Sequence, residues 1–177
     1  MRLHLGCGKI VLPGWINIGL KIMPKDDPVV WCRDLREGLP VEDASVDLIH
    51  SEHFLEHLTI VEGLKLLTDC HRALKPGGVI RTGTPALEVS IGHFQTGDWR
   101  ELEWVKDENV KTSAEYINAC FRRWGHEYLY NEEELHRRLE QVGFSTRRTV
   151  AFGESSVPDL RGLERHPTTT LIVEAVK

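Results

Sequence analysis

A chain of 177 residues is of the size that folds as one domain around a sizeable core, and 41% hydrophobic with 28% charged residues excludes a disordered or low-complexity protein. A formal net charge of −5 argues against bulk nucleic-acid binding and against attraction to an anionic membrane, and no apolar run reaches the roughly 18 residues of a bilayer span. Cys7, Cys32, Cys70 and Cys120 form no C-x-x-C pair, the pattern of reduced thiols, and no signal peptide precedes the first strand-like run, so the expected location is cytoplasmic.

The first candidate strand, Arg2–Leu5, runs into Gly6-Cys7-Gly8. Glycines after a buried strand let the backbone approach a ligand closely, although a plain tight turn reads as well from these three residues alone. Trp15–Leu20 and Val29–Cys32 follow as strands. Only Cys7–Gly14 separate the first two, fewer than the roughly ten to twelve residues of a helical crossover, so this connection is expected to be a single turn or irregular.

The fourth strand, Val46–His50, leads into Ser51-Glu52-His53-Phe54-Leu55-Glu56-His57. On one helical turn, His53 and His57 would face the same way with Glu56 beside them, the H-x-x-E-H spacing of inverted zinc proteases. A zinc hydrolase using His53 and His57 is one reading. The others are a pocket at a strand end and ordinary helix-capping or satisfied surface histidines.

Ile60, Leu64, Leu67, Cys70 and Leu74 then step by 4, 3, 3 and 4, as one helix face requires, and Pro76-Gly77-Gly78 stops the helix before a strand at Gly78–Thr82. Pro85 to Val110 mixes Trp99, Trp104, Gly92 and Gly97 with many charges and shows no clear period. Insertions of this kind often carry substrate contacts. Ser113–Trp124 reads as a helix with Tyr116, Ile117, Cys120, Phe121 and Trp124 on or near one face. Asn131 is a good N-cap with Glu134 three residues on as in a capping box, Leu135, Leu139 and Val142 form the buried stripe, and Gly143 ends the helix. Ser145–Phe152 and Thr169–Val176 complete seven strands. Such alternation marks a parallel sheet covered by helices.

The segments "LHLGCG" (3–8), "DLREGLP" (34–40), "SVDLIHSEHFLEHL" (45–58), "LKPGG" (74–78) and "YNEEELHRRLEQVGF" (130–144) stand in the order and spacing of a class I S-adenosylmethionine (SAM) dependent methyltransferase. The chain most resembles the small bacterial type-11-like predicted methyltransferases. That resemblance implies a Rossmann-like α/β fold over residues 1–177, with a mostly parallel seven-stranded sheet, helices on both faces and a shortened first crossover. It also implies SAM as cofactor, with S-adenosylhomocysteine (SAH) as product.

By the same resemblance, Gly6, Cys7 and Gly8 would lie against the methionine part of SAM, Asp34 and Leu35 near the adenine, and Ser51, Glu52 and His53 on the pocket floor near the sulfonium. Asp34 also reads as a plain loop or cap residue. Two departures stand out. His4 replaces the usual acid of the first strand, and Gly19 stands where the second strand usually carries an acid for the ribose hydroxyls. Gly19 thereby favours a second reading, a catalytically inactive binding or assembly module.

A general base is needed only where the acceptor must lose a proton, and His53, His57 and His126 are the candidates. Asn118, Arg122, Arg123 and Tyr128 gather in the region that lies over the pocket in this group, where acceptor contacts are expected. The arginines also read as solvated faces, like Arg137, Arg138, Arg147 and Arg148, whereas an inward pair would favour an anionic acceptor. The expected acceptor is a small molecule or glycan precursor. The 153–167 segment is either a solvent loop or a rim that closes the pocket or a homodimer.

Overall fold

The computed structural model describes residues 1–20 and 30–177, so Lys21 and the Val29 start of the third strand lie outside the described residues. Seven strands, β1 (Arg2–Leu5), β2 (Ile16–Gly19), β3 (Val30–Cys32), β4 (Val46–Glu52), β5 (Leu74–Thr84), β6 (Thr146–Thr149) and β7 (Leu171–Val176), form one sheet in the order β3-β2-β1-β4-β5-β7-β6. β1 to β5 are parallel, and β7 runs antiparallel to both β5 and β6. The chain fills one side of β1 with β2 and β3 before crossing to β4 and β5. The switch point therefore falls between β1 and β4, where the carboxyl ends are in register as Leu5 pairs with both Ile18 and Ser51.

Strand alternation divides the side chains between two unlike faces. Leu3, Leu5, Ile18, Ile49, Ile80, Val173 and Ala175 pack in one cluster against helices α1 (Ile60–Ala73) and α5 (Glu132–Gln141). Thr59 caps α1 through a full capping box with Glu62. Its buried stripe is Gly63, Leu66, Leu67, Cys70 and Ala73, rotated from the expected one because Leu64 is only half-buried and Leu74 already begins β5. Gly63 is required there, since a Cβ would come within 2.8 Å of the Tyr130 hydroxyl. In α5, Asn131 accepts from the Glu134 amide at 2.9 Å as expected, but the Glu134 carboxylate pairs with Arg137 and Arg138 instead of completing the box.

The opposite face carries buried polar residues, His4, Asn17, His50, Arg81 and Glu174. Among the described residues it is covered by irregular chain: Leu12 and Trp15 from the first crossover and Leu160 from the 153–170 segment. The sequence expectation of a shortened, non-helical first crossover is met. Asn17 organises it, accepting from the Leu12 amide and donating to the Leu12 and Trp15 carbonyls at 2.9, 3.2 and 3.0 Å. The fully buried Arg81 ties down the later segment, with Nε 2.5 Å from Glu164 Oε1 and another guanidinium nitrogen 2.7 Å from Glu174 Oε1 and 2.8 Å from the Glu154 carbonyl.

The region without a readable period resolves into α2 (Leu87–Thr96), a tight turn at Asp98–Glu101 and α3 (Glu103–Asp107), followed by α4 (Ser113–Arg122). Trp99, Val105, Tyr116, Cys120 and Leu129 form their separate core, in which both Trp99 and Trp104 stack on the Tyr116 ring.

Candidate active site

A cleft of about 450 Å³ opens at the carboxyl ends of β1, β2, β3 and β4, a volume in the range of small-ligand sites. Its first wall is the glycine loop. Gly6 and Gly8 adopt φ of +67° and +53°, which L side chains resist, and a Cβ on Gly6 would lie 2.2 Å from the Phe54 ring. At the end of β2, a Cβ on Gly19 would lie 3.2 Å from Cys7 Sγ and 3.6 Å from the Gly8 amide nitrogen, so β2 passes close under the loop.

Past β3, Asp34 caps the turn Leu35–Glu37 by accepting from the Arg36 amide, and its carboxylate pairs with the Arg36 guanidinium at 2.6 Å. The Arg36 side chain, then the Arg36 amide, hold the Asp34 pKa down to about 2. Asp34 is thus a fixed acceptor at neutral pH. It is the only carboxylate among the described residues that line the cleft.

The chain leaving β4 does not enter a helix. His53 has a φ of +48°, Leu55–His57 forms a single tight turn, and α1 begins only at Ile60. The helical i, i+4 pairing of His53 and His57 expected for a zinc hydrolase is therefore corrected: the two histidines do not share a helix face. Instead, the His57 ring meets His126 edge-on at 5.0 Å, and the His53 ring tilts against His166 at 5.0 Å. Two hydrogen bonds enforce the first encounter, as the Glu127 and Tyr128 amides donate to the Glu56 carbonyl at 2.8 and 3.2 Å.

Glu56 itself is fully buried, and neither carboxylate oxygen has a hydrogen-bond partner; His53 Nδ1 lies 3.1 Å from Oε1, near enough to pair but out of line for a hydrogen bond. Burial opposes ionisation of Glu56, yet His53 and His57 together bring its pKa below the usual glutamate value. Burial lowers the His126 pKa. His126 Nδ1 lies 2.8 Å from the Cys120 carbonyl, which can only accept, so Nδ1 carries the hydrogen and Nε2 is left as the basic nitrogen.

Of the residues singled out in the sequence, Gly6, Gly8, Gly19, Asp34, Leu35, His53 and His57 line the cleft. Cys7 is buried with its sulfur toward Gly19. Ser51 and Glu52 are buried outside the lining. The Glu52 carboxylate accepts from the Arg165 and His166 amides and the Thr169 hydroxyl, at distances of 2.6 to 3.0 Å, and so anchors a loop instead of facing a ligand. His126 stands behind His57 and Trp124.

The four expected acceptor residues are not brought to the cleft. Asn118 and Arg123 line a separate surface groove, where Arg123 pairs with Glu108. Arg122 is exposed, and the Tyr128 hydroxyl donates to Glu134 at 3.3 Å. Sequence reasoning missed Phe54, Arg33, Arg36 and Trp124 as cleft residues. Trp124 reads as part of a buried helix face, but the helix ends at Arg122; at φ +57° the residue turns outward, 51% exposed, against Trp104 and His126. The adjacent Gly125 is the sequence signal for that break.

A family model described as "Methyltransferase domain" matches residues 20–82, the span from the end of β2 to β5 that builds most of this cleft. That match takes in 63 of the 177 residues, and over it the chain is similar to a methyltransferase domain. A Mycolicibacterium smegmatis protein named "Probable S-adenosylmethionine-dependent methyltransferase" is 39% identical over 56 residues, a stretch that spans 29% of this chain and 21% of that protein. The methyltransferase fold extends over the whole chain. A SAM-dependent methyltransferase from Archaeoglobus fulgidus superposes with a TM-score of 0.60 at 18% identity, covering 99% of this chain and 85% of the other. One from Mesorhizobium loti gives 0.58 at 16%, covering 99% and 90%.

Proposed function

We propose that this chain is a SAM-dependent methyltransferase that acts on a small-molecule or glycan-precursor acceptor. The observation that carries the reading is the cleft at the switch point, walled by a glycine loop in which Gly6 admits no side chain because Phe54 fills the space a Cβ would take. Gly6, Gly8 and Gly19 would hold the methionine and ribose portions of the cofactor, and Asp34 and Leu35 the adenine. When bound, the cofactor supplies a methyl group already activated on a sulfonium. The chain's own contribution is alignment of the acceptor and exclusion of water, which can account for most of the acceleration. His53 and His57 line the cleft, and either would serve as the base where a hydroxyl acceptor must lose its proton, His57 only while it holds no metal ion.

The second reading, a binding module without catalysis, is favoured by one observation: β2 ends in Gly19 with no carboxylate for the ribose. Calorimetric titration with SAM and SAH tests the first reading, with saturable one-to-one binding expected. Absence of binding at millimolar ligand overturns it. Cofactor binding together with no methyl transfer to any of a panel of hydroxyl- and amine-bearing acceptors would favour the module.

A further inference from the structure

We propose that Glu56, His57 and His126 form a binding site for a divalent first-row transition-metal ion in the wall of the cleft. One ligand atom from each of the three side chains lies within 4.8 Å of the other two. Bond lengths of about 2.0–2.2 Å to nitrogen and oxygen bring ligand atoms to roughly 3.5 Å apart, so closing the set needs side-chain shifts of about 1 Å.

Three independent features make this a built site. The Glu56 carboxylate is fully buried and neither oxygen has a hydrogen-bond partner; His53 Nδ1, 3.1 Å from Oε1, meets one oxygen as an ion-pair contact, and Oε2 is left without a partner that a bound cation would supply. The Cys120 carbonyl fixes the His126 tautomer so that Nε2 offers its lone pair, the outer-sphere orientation found for metal-bound imidazoles. The Glu56 carbonyl holds the Glu127 and Tyr128 amides, which sets His126 beside a turn 70 residues earlier in the chain.

Two imidazoles and one carboxylate suit Zn²⁺ or a similar ion better than Mg²⁺ or Ca²⁺, which prefer all-oxygen sets. His57 lines the cleft, so an ion held by it would be reachable from the acceptor side. His53, whose Nδ1 lies 3.1 Å from Glu56 Oε1, stands as a fourth side chain at the edge of the cluster. This site is not the His53/His57 helix pair of a zinc hydrolase: it takes one of those histidines and replaces the other with His126 from a distant segment.

The test is titration of tag-free, chelator-stripped protein with Zn²⁺ and, separately, Mg²⁺, by calorimetry and without cofactor, so that its outcome is independent of SAM binding. One Zn²⁺ per chain is expected, with no comparable Mg²⁺ isotherm. Glu56→Gln and His126→Gln are each expected to weaken Zn²⁺ by at least about tenfold, while His166→Gln, beyond His53, leaves the affinity unchanged. Absence of a one-to-one Zn²⁺ isotherm overturns the proposal, as does wild-type affinity in both variants. Co²⁺ absorption of the wild-type chain decides the matter where a variant does not fold: bands of a four- or five-coordinate ion support the site, and a spectrum like that of hydrated Co²⁺ overturns it.

Discussion

Replacing Glu52 by glutamine separates two roles for a residue at the end of β4. Three donors converge on its carboxylate: Arg165 N lies 3.0 and 2.9 Å from the two oxygens, His166 N 3.0 Å from Oε1, and Thr169 Oγ1 2.6 Å from Oε1. A hydrogen bond to a charged acceptor is worth about 1 kcal/mol more than one to a neutral acceptor, so three bonds lose about 3 kcal/mol when the charge is removed. The glutamine must also turn its NH₂ toward the Arg165 amide if its oxygen keeps the other two donors. For a chain of this size that loss lowers the unfolding midpoint by about 6–12 °C. Thermal and urea unfolding of Glu52→Gln measure the total, and hydrogen exchange at Arg165 and His166 locates it. SAH affinity is expected to stay near wild type in variant that has folded. A variant with wild-type stability but impaired SAH binding would refute the loop-anchor reasoning and restore Glu52 to the cofactor site.

Gly6→Ala meets both a left-handed backbone, at about 1–2 kcal/mol, and the Phe54 ring, and is expected to abolish SAH binding by calorimetry; retained affinity would show that the loop does not cradle the cofactor. Gly19→Asp is expected to tighten SAH binding about tenfold by supplying a ribose acceptor, provided Cys7 Sγ yields by a few tenths of an ångström to the new Cβ; unchanged or weaker affinity falsifies that reading. Burial lowers the pKa of both His4 and His50, and His50 is further opposed by His4, Arg81 and Arg165, while Asn17 and Glu52 partly restore His4. Folded values below the unfolded value of about 6.5 mean that the unfolded chain binds more protons in acid, so stability is full above about pH 6.5 and declines as the pH falls below it. Urea denaturation across pH 5 to 8 checks this, and His50→Gln is expected to flatten the slope. Arg81→Ala strands Glu164 and Glu174 in the interior and is expected to cost about 3–5 kcal/mol; a loss under about 1 kcal/mol would show that water or rearrangement replaces the guanidinium.

The fold was legible where local signals and burial agree. Every candidate strand overlaps an observed one, and the helix starting after Asn131 was readable because cap, acidic first turn and apolar stripe all point the same way. Strand ends were less readable. β4 runs two residues beyond His50 because Ser51 and Glu52 pair with Thr82 and Gly83 on β5, a tertiary fact with no local signature. The stripe of α1 is rotated because the space above Gly63 belongs to Tyr130, contributed from far along the chain. The polar face of the sheet was illegible for a related reason. His4, Asn17, His50 and Arg81 look like solvent-facing residues in alternating strands, and only the crossover loop and the 153–170 segment make them interior.

The same distinction governs the site. Gly6, Gly8, Gly19, Asp34 and Leu35 follow strand ends directly, so fixing the strands fixes them, and all five line the cleft. Asn118, Arg122, Arg123 and Tyr128 were placed by their clustering in sequence, yet α4 and the turn after it point them elsewhere. His53-x-x-Glu56-His57 carries the opposite lesson. Its spacing suggested convergence on a helix, while the positive φ at His53 breaks that geometry and sends its ring toward His166. Convergence occurs nonetheless, through the Glu56 carbonyl, which recruits residues 127 and 128 and with them His126. A backbone acceptor has no sequence identity, so a cluster assembled by one leaves its side chains visible in the sequence and their partnership hidden until the chain is folded.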